Sequence, residues 1–166
     1  MNQPPRNGHR VGPALLAGAI AIAVNTALLA AADRIPLVTA RGGLLKLISP
    51  YVGPVLRQAG VGRTWAGLGL PVPGGTVFQL GFHVVVGLGM AVLYGLLLEP
   101  VLPGRPWVRG LLYAMMVWLA NALVVLPLLG EGVAGSGTLG GAGMAYFAAA
   151  HTVFFVLLAI LFDRLR

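Results

Sequence analysis

The chain contains no cysteine and few acidic residues, and both shortages narrow the chemistry that it can perform. Without cysteine there are no disulfides, thiolate metal ligands or cysteine nucleophiles. The acidic residues all fall at or beyond the ends of apolar segments: Asp33, Glu99, Glu131 and Asp163. No carboxylate therefore lies beside a histidine of an apolar segment to act as a general base. We accordingly expect no catalytic residues, no bound metal and no cofactor, and we predict that the protein is not an enzyme.

Charged residues of either sign are scarce, at 9% of the chain against 58% hydrophobic residues. They leave four continuous apolar stretches, at residues 11–32, 77–98, 107–129 and 142–162. A helix needs about 20 apolar residues to cross the hydrocarbon core, and these stretches lack the alternation of membrane strands. Arg109 is the one formal charge inside them, near an end from which its side chain can reach the interface. The sequence predicts an all-α polytopic membrane protein with four transmembrane helices, forming a single integral membrane domain over residues 1–166.

The shortage of acidic residues leaves a net charge of +7, but the basic residues do not form a nucleic-acid-binding stripe. They sit at the ends of the apolar segments and in the first connection, where anionic lipid headgroups are the nearest partner. We predict the lipid bilayer as partner and no nucleic acid. Arg6 and Arg10 precede the first apolar run, as in a signal peptide. That run of 22 residues exceeds the about 7–15 residues of a typical signal-peptide core, which favours an uncleaved helix.

The distribution of basic residues predicts an orientation. With both termini in the cytoplasm, six Lys or Arg residues lie inside and five outside, the five all in the first connection. The second half of the chain is more decisive, because Arg105, Arg109, Arg164 and Arg166 lie on one side and the glycine-rich connection on the other side has none. The positive-inside rule therefore favours cytoplasmic termini.

The first connection, residues 33–76, is long and amphipathic. Its apolar residues recur at helical spacing: Leu44, Leu45, Ile48, Val52, Val55 and Leu56. Lys46 and Arg57 lie off that stripe. The pattern predicts an amphipathic segment in the headgroup region. Because Pro50 and Pro54 break or kink a helix, we expect two short pieces rather than one.

Polar residues inside the apolar segments recur in a pattern. Asn25 and Asn121 lie deep in the first and third segments, and His83 and His151 lie in the second and fourth. A shift of 96 positions aligns the asparagines, and a shift of 68 positions aligns His-Val-Val with His-Thr-Val. These matches predict two parallel helix-pair repeats related by an axis along the membrane normal. At about 1.5 Å per residue, the four side chains share one layer in the outer half of the bilayer.

Three hypotheses account for this Asn/His layer, defined as Asn25, His83, Asn121 and His151. In the leading one, asparagine amides and imidazoles form hydrogen bonds between helices and hold the bundle together. In the second, the layer lines a pathway for a proton or small solute, with the histidines as titrating groups. In the third, the two histidines bind a haem or metal. The leading functional prediction is a small structural or accessory membrane protein, and the alternatives are a transporter-like or channel-like protein and membrane haem binding.

Small residues line the helix faces that carry the two asparagines. The two stripes are Ala14, Gly18, Ala21, Asn25 and Gly110, Ala114, Val117, Asn121. Small side chains let helix backbones approach closely in lipid. The stripes therefore predict that the asparagines face the bundle interior. They also predict assembly as a homo-oligomer or with a membrane-protein partner.

Short motifs in the second half of the chain resemble a known group of proteins. A histidine opens an apolar helix ahead of Gly87-Leu88-Gly89, and Ala-His-Thr-Val-Phe occupies residues 150–154. Between them lies a P-x-x-G-x-G-x-A run, formed by Pro127, Gly130, Gly132 and Ala134. Over about half of the chain, these residues resemble small bacterial inner-membrane proteins of the YagU-like kind and related four-helix families of unknown function. The resemblance implies a multi-pass protein of the bacterial inner membrane and carries over no activity or cofactor.

Overall fold

In the computed structural model, which describes residues 8–35, 37 and 43–166, every regular element is helical. Four helices are long and apolar enough to cross a membrane: His9–Ala32, Thr76–Leu98, Pro106–Leu128 and Gly141–Leu165. They confirm the predicted all-α fold with four membrane-spanning segments. Arg6 and Arg41, which entered the prediction of orientation, lie outside the described residues.

The helices differ in regularity. The uninterrupted helices are α1 (Gly8–Arg34), α2 (Gly43–Gln58), α3 (Val61–Gly67) and α7 (Gly141–Leu165). Helix α4 (Thr76–Leu93) continues into a π-helical turn at Tyr94–Leu98. Helix α5 (Pro106–Ala120) continues through a second π-helical turn at Asn121–Val125 into the short α6 (Leu126–Leu128). The second and third spans therefore each contain a local widening of the helix.

The four spanning helices form a bundle in which α1 packs against α4 and α7, and α7 also packs against α5. Between α4 and α5, the rings of Tyr94 and Tyr113 stack with their centroids 5.9 Å apart. The start of α1, the short connection at 99–105 and the end of α7 meet at one end of the bundle, which we call the Glu99 end. The connections at 43–75 and 129–140 lie at the opposite end, which we call the loop end.

Glycine sets how closely the helices approach one another. A Cβ atom on Gly18 of α1 would lie 2.5 Å from the Ala91 Cβ of α4. A Cβ atom on Gly110 of α5 would lie 2.6 Å from both the Phe155 carbonyl oxygen and the Val156 Cα of α7. The small-residue stripes are therefore occupied by contacts inside one chain, where they bring the helices of the bundle together. Assembly with a second copy or another membrane protein stays a prediction, and it would use other surfaces.

The first connection corrects the predicted effect of its prolines. Pro50 and Pro54 both lie inside the continuous helix α2. Because Pro50 has no N–H group, it cannot donate to the Lys46 carbonyl one turn earlier, and the Ser49 hydroxyl donates to that carbonyl instead, at 3.4 Å. The break comes later, at Gly60, whose left-handed backbone (φ 70°) separates α2 from α3. Two helices form, as expected, but glycine rather than proline ends the first.

Side-chain contacts join the first connection to the start of α4 and to the glycine-rich connection. The Trp65 indole N–H donates to the Pro71 carbonyl at 2.8 Å, and its ring meets Phe78 edge-on with centroids 5.9 Å apart. Lys46 of α2 forms an ion pair with Glu131 of the glycine-rich connection at 3.6 Å. The two connections at the loop end therefore contact each other directly.

Candidate functional site

Asn25 is the most buried polar side chain of the Asn/His layer, with 1% of its surface exposed. Its amide donates from Nδ2 to the Ala150 carbonyl of α7 at 2.8 Å. About one turn away on the same two helices, the Tyr146 hydroxyl donates to the Leu28 carbonyl of α1 at 2.6 Å. Two hydrogen bonds of opposite direction thus join α1 to α7 in the half of the bilayer nearer the loop end.

Asn121 and His151 bond within their own helices. The Asn121 amide donates to the Val117 carbonyl at 3.1 Å, one turn earlier. The His151 Nδ1 lies 2.9 Å from the Phe147 carbonyl, and since a carbonyl only accepts, Nδ1 carries the proton. The His151 ring also packs on the Phe147 ring, with centroids 4.1 Å apart. These bonds satisfy the polar groups locally and do not link helices.

His83 lies half-buried on α4, the span that packs beside α1. For Asn25 the acceptor is a backbone carbonyl, not the imidazole that the sequence led us to expect. In the described part of the chain no three His, Cys, Asp or Glu side chains group together. The pathway and haem hypotheses stay predictions.

The predicted repeat is visible in pairing but not in detail. Each half packs as a pair, α1 against α4 and α5 against α7. The two junctions between the halves differ, because α1 packs closely on α7 whereas the rings of Tyr94 and Tyr113 stack between α4 and α5. Asn25 and Asn121 also bond differently. The internal duplication stays a prediction.

A second polar group, at the Glu99 end, is more highly connected than the Asn/His layer. The Glu99 carboxylate is buried, with 5% of its surface exposed, and it accepts from three guanidinium groups. Arg10 Nη1 lies 2.9 Å from Oε2, Arg109 Nη1 lies 2.7 Å from Oε1, and Arg166 Nη1 also donates to Oε1. We call Glu99, Arg10, Arg109 and Arg166 the Glu99 cluster. It joins residues at the ends of all four spanning helices.

The π-helical turn at Tyr94–Leu98 explains why Arg10 reaches this position. The Glu99 N–H donates to the Tyr94 carbonyl at 2.8 Å, five residues back, and so leaves the Gly95 carbonyl without its usual partner. The next residue, Pro100, has no N–H to offer. Arg10 Nη1 donates to the Gly95 carbonyl at 3.1 Å, while also bonding Glu99. One guanidinium thus satisfies a backbone acceptor and a carboxylate together.

Aromatic side chains form the floor of the cluster on its bilayer side. Tyr94 and Phe162 are almost fully buried and meet edge-on, with ring centroids 5.7 Å apart. Tyr113 stacks on Tyr94 and packs on Phe155, at a centroid distance of 4.4 Å. The Tyr113 hydroxyl donates to the Met90 carbonyl at 3.2 Å. These rings fill the bundle interior below the charged groups.

In the Glu99 cluster, the attraction between opposite charges competes with the cost of burying the Glu99 carboxylate. Unit charges about 4 Å apart attract by about 4 kcal/mol at an effective dielectric constant of about 20. Removing the carboxylate from water offsets much of that gain. Removing one partner, however, leaves buried charge without compensation, which is the larger penalty. We infer that the cluster's main effect is to fix which helix ends meet.

Sequence reasoning missed this cluster because it placed Glu99 only at the end of an apolar segment. A usable signal was present. Once four spans are assigned, Arg10, Arg109 and Arg166 must share the end at which Glu99 lies. When one acidic residue shares an end of the bundle with three arginines near span ends, a shared ion pair is expected. The distances and the π-helical turn needed the structure.

Comparison of the chain with family models, with curated proteins and with solved structures finds no match. The resemblance to YagU-like proteins therefore stays a prediction, and the function has to be argued from the geometry of the chain itself.

Proposed function

We propose that this chain is a small structural or accessory protein of the bacterial inner membrane, acting as a preassembled four-helix unit. The single observation that carries the proposal is the use of its buried polar groups. Apart from tyrosines, Asn25 and Glu99 are the buried polar side chains of the described residues. Each connects helices: Asn25 joins α1 to α7, and Glu99 joins the ends of all four spans. Both groups act in assembly of the bundle.

The packing of the interior supports the same function. Alanines and glycines bring α1 against α4, and aromatic rings occupy the space between α4, α5 and α7. The core of the bundle is made of apolar residues that pack together: Ala14, Ala17, Ala21, Ile22, Ala91, Tyr94, Tyr113, Ala114, Phe154, Phe155, Leu158, Ala159 and Phe162. A close-packed apolar core of this kind stabilises a scaffold.

We further propose that the Glu99 end faces the cytoplasm, so that both termini are cytoplasmic. The support is the concentration of arginines there, with Arg105 and Arg164 exposed beside the three arginines of the Glu99 cluster. Positive residues near span ends favour the cytoplasmic side. A fluorescent protein fused to the carboxyl terminus should be fluorescent, and an alkaline phosphatase fusion at the same position should be inactive. The reverse pattern would contradict the orientation.

The scaffold function predicts a specific difference between the two asparagines. Asn25→Ala removes a bond between helices and should lower the free energy of unfolding by about 1 kcal/mol, within the range of intramembrane hydrogen bonds. Asn121→Ala removes a bond within one helix and should cost less than half as much. Unfolding of the purified protein in mixed detergent micelles, followed by tryptophan fluorescence, measures both. Equal losses would contradict the assignment of Asn25 as the helix-joining residue.

A flux measurement separates the scaffold from the pathway alternative. Proteoliposomes carrying the wild-type chain should leak protons no faster than protein-free liposomes under an imposed pH gradient. The control is the double variant His83→Phe with His151→Phe, which removes both titrating groups of the Asn/His layer. A wild-type flux that this folded double variant abolishes would overturn the scaffold proposal in favour of a transporter-like or channel-like function.

Self-assembly, or assembly with another membrane protein, belongs to the same proposal. Since the chain has no cysteine, single cysteines report contacts between copies without background. Leu119 and Leu123 are exposed on the α5 side of the bundle, whereas Ala17 is fully buried. If copies associate through α5, Leu119→Cys or Leu123→Cys should cross-link into dimers in native membranes and Ala17→Cys should not. Monomers at every exposed position would leave an unlike membrane protein as the partner to identify by photo-cross-linking.

A further inference from the structure

The Glu99 cluster lies at the depth of the lipid headgroups. Arg10 is the second residue of the first span, His9–Ala32, and Arg109 is the fourth residue of the third, Pro106–Leu128. Glu99 directly follows Leu98, the last residue of the second span. The phosphate groups of a bilayer lie just outside its hydrocarbon core. The guanidinium groups of the cluster therefore share their level with phospholipid phosphates.

The cluster carries more positive charge and more donors than its protein partners use. Among the side chains, three guanidiniums (+3) face two carboxylates, those of Glu99 and Asp163 (−2), which leaves a side-chain charge of +1. Each guanidinium offers five N–H donors, and the cluster makes five described bonds, to Glu99, Asp163 and the Gly95 carbonyl. Arg10, Arg109 and Arg166 keep 29%, 22% and 37% of their side chains exposed. Donors therefore remain for an acceptor arriving from the headgroup layer.

The arginines are also held in place before any such acceptor arrives. Arg109 and Arg166 donate to the same Glu99 oxygen, and Arg10 is fixed by Glu99 and the Gly95 carbonyl together. Side chains ordered in advance lose less conformational entropy on binding. Guanidinium groups pair with phosphate through two parallel N–H bonds, which makes arginine the preferred residue for this anion. Exposed Arg105 and Arg164 add a general attraction for anionic lipid at the same end.

From this placement we propose that Arg10, Arg109 and Arg166, arranged around Glu99, form a binding site for the phosphate of an anionic phospholipid headgroup. The ligand class is a phosphodiester lipid without a compensating cation, such as phosphatidylglycerol. Phosphatidylcholine, a zwitterionic lipid, presents the same phosphate with a trimethylammonium group that the arginines repel. The site adds a lipid ligand to the bundle and does not depend on the scaffold function.

Native mass spectrometry of the full chain in detergent, titrated with phosphatidylglycerol or phosphatidylcholine, tests the site. The wild type should bind phosphatidylglycerol at least about tenfold more tightly than phosphatidylcholine, because the arginines repel the trimethylammonium group of phosphatidylcholine. Arg166→Gln should lower the phosphatidylglycerol affinity by about the same factor. The matched control is Arg105→Gln, which removes the same charge from the same end and, because it contributes only a general attraction, should lower the affinity clearly less than Arg166→Gln does.

Two further arms keep the outcome decisive. Arg109→Lys keeps the charge but loses the planar fork, and it should also weaken phosphatidylglycerol binding, provided that its thermal unfolding stays cooperative. Inorganic phosphate at millimolar concentration should not displace the lipid; displacement would identify a soluble phosphate compound as the ligand instead. Equal effects of Arg166→Gln and Arg105→Gln, or equal binding of the two lipids by the wild type, would overturn the proposal.

Discussion

At the scale of single residues, glycine positions decide how closely the spans approach, and the chain offers a matched pair. A Cβ atom on Gly110 would lie 2.6 Å from backbone atoms of α7, which cannot move aside as a flexible side chain would. Gly89, also inside a spanning helix, has open space around it and nothing within 4 Å. The two positions therefore separate packing from the intrinsic helix preference of alanine.

We expect Gly110→Ala to lower the free energy of unfolding by about 1–3 kcal/mol, because the methyl group forces α5 away from α7. Gly89→Ala should be neutral or stabilising by up to about 1 kcal/mol, because alanine loses less backbone entropy than glycine in a helix. Unfolding in mixed micelles, read by the fluorescence of the three tryptophans, compares them. A similar loss in both variants would show that the α5–α7 contact is looser than described.

Individual residues also show what the sequence could and could not predict about the Asn/His layer. Burial of Asn25 followed from its place on a stripe with Ala14, Gly18 and Ala21, and the structure shows it at 1% exposure. Its acceptor did not follow, because backbone carbonyls are present on every helix and leave no mark in a sequence. Asn121 occupies the equivalent place on its own stripe, yet it starts a π-helical turn and bonds to Val117. Local backbone geometry thus separated two residues that look equivalent in sequence.

At the scale of elements, helix ends were predictable and helix irregularities were not. Runs of apolar residues bounded by charges predicted all four spans, and the structure confirms them. The π-helical turns at Tyr94–Leu98 and Asn121–Val125 depend on where a bundle neighbour offers or needs a hydrogen bond. The prediction that Pro50 and Pro54 break the helix was wrong, because a side chain close to Pro50 takes part in the local hydrogen bonding. Proline disfavours a helix by a local cost, and Ser49 offsets part of that cost with its own hydroxyl.

The turn before Glu99 carries a testable coupling between two residues. Arg10→Gln should destabilise the protein, since it removes bonds to Glu99 and to the Gly95 carbonyl. Pro100→Ala provides a backbone N–H five residues after Gly95, the spacing of the bond from the Glu99 N–H to the Tyr94 carbonyl. The cost of Arg10→Gln should therefore be smaller by about 0.5–1.5 kcal/mol in the Pro100→Ala background, the value of one hydrogen bond. A double-mutant cycle on unfolding free energies measures this coupling, and strict additivity of the two changes would contradict it.

The ion pair between α2 and the glycine-rich connection should contribute little to the stability of the bundle. Lys46 and Glu131 pair at 3.6 Å, and 61% of the lysine side chain is exposed. A pair this open to solvent contributes at most about 1 kcal/mol. Glu131→Gln should leave the unfolding of the bundle almost unchanged but accelerate hydrogen exchange in Gly43–Gln58, because α2 loses a contact at the loop end. Arg57→Gln, on the same helix, is the control. If hydrogen exchange in α2 is no faster in Glu131→Gln than in Arg57→Gln, apolar contacts and not the ion pair hold α2 in place.

In the whole molecule, polar contacts join the helices near each end of a close-packed interior. Near the loop end, Asn25 and Tyr146 join α1 to α7. At the other end, Glu99 joins all four spans. The sequence indicated Asn25, because an asparagine within an apolar run is unusual, but it indicated neither the carbonyl acceptor of Asn25 nor the contribution of Tyr146. The Glu99 cluster was not predicted, because charges at span ends are expected in any membrane protein. Only the structure shows that three of these arginines share one carboxylate.

All three arginines of the Glu99 cluster depend on one carboxylate, that of Glu99. Glu99→Gln leaves three arginines facing an amide, so the bundle should lose about 3–5 kcal/mol of unfolding free energy, as when one partner of a buried pair is removed. Asp163→Asn removes the same charge at the same end, but Asp163 contacts Arg166 alone among the cluster and 37% of its side chain is exposed. Its cost should stay below about 1 kcal/mol. Thermal unfolding of both variants in identical detergent makes the comparison. Equal destabilisation would show that the Glu99 end is held by its total charge, whereas a large loss confined to Glu99→Gln would show that one carboxylate at the meeting point of four helices organises the molecule.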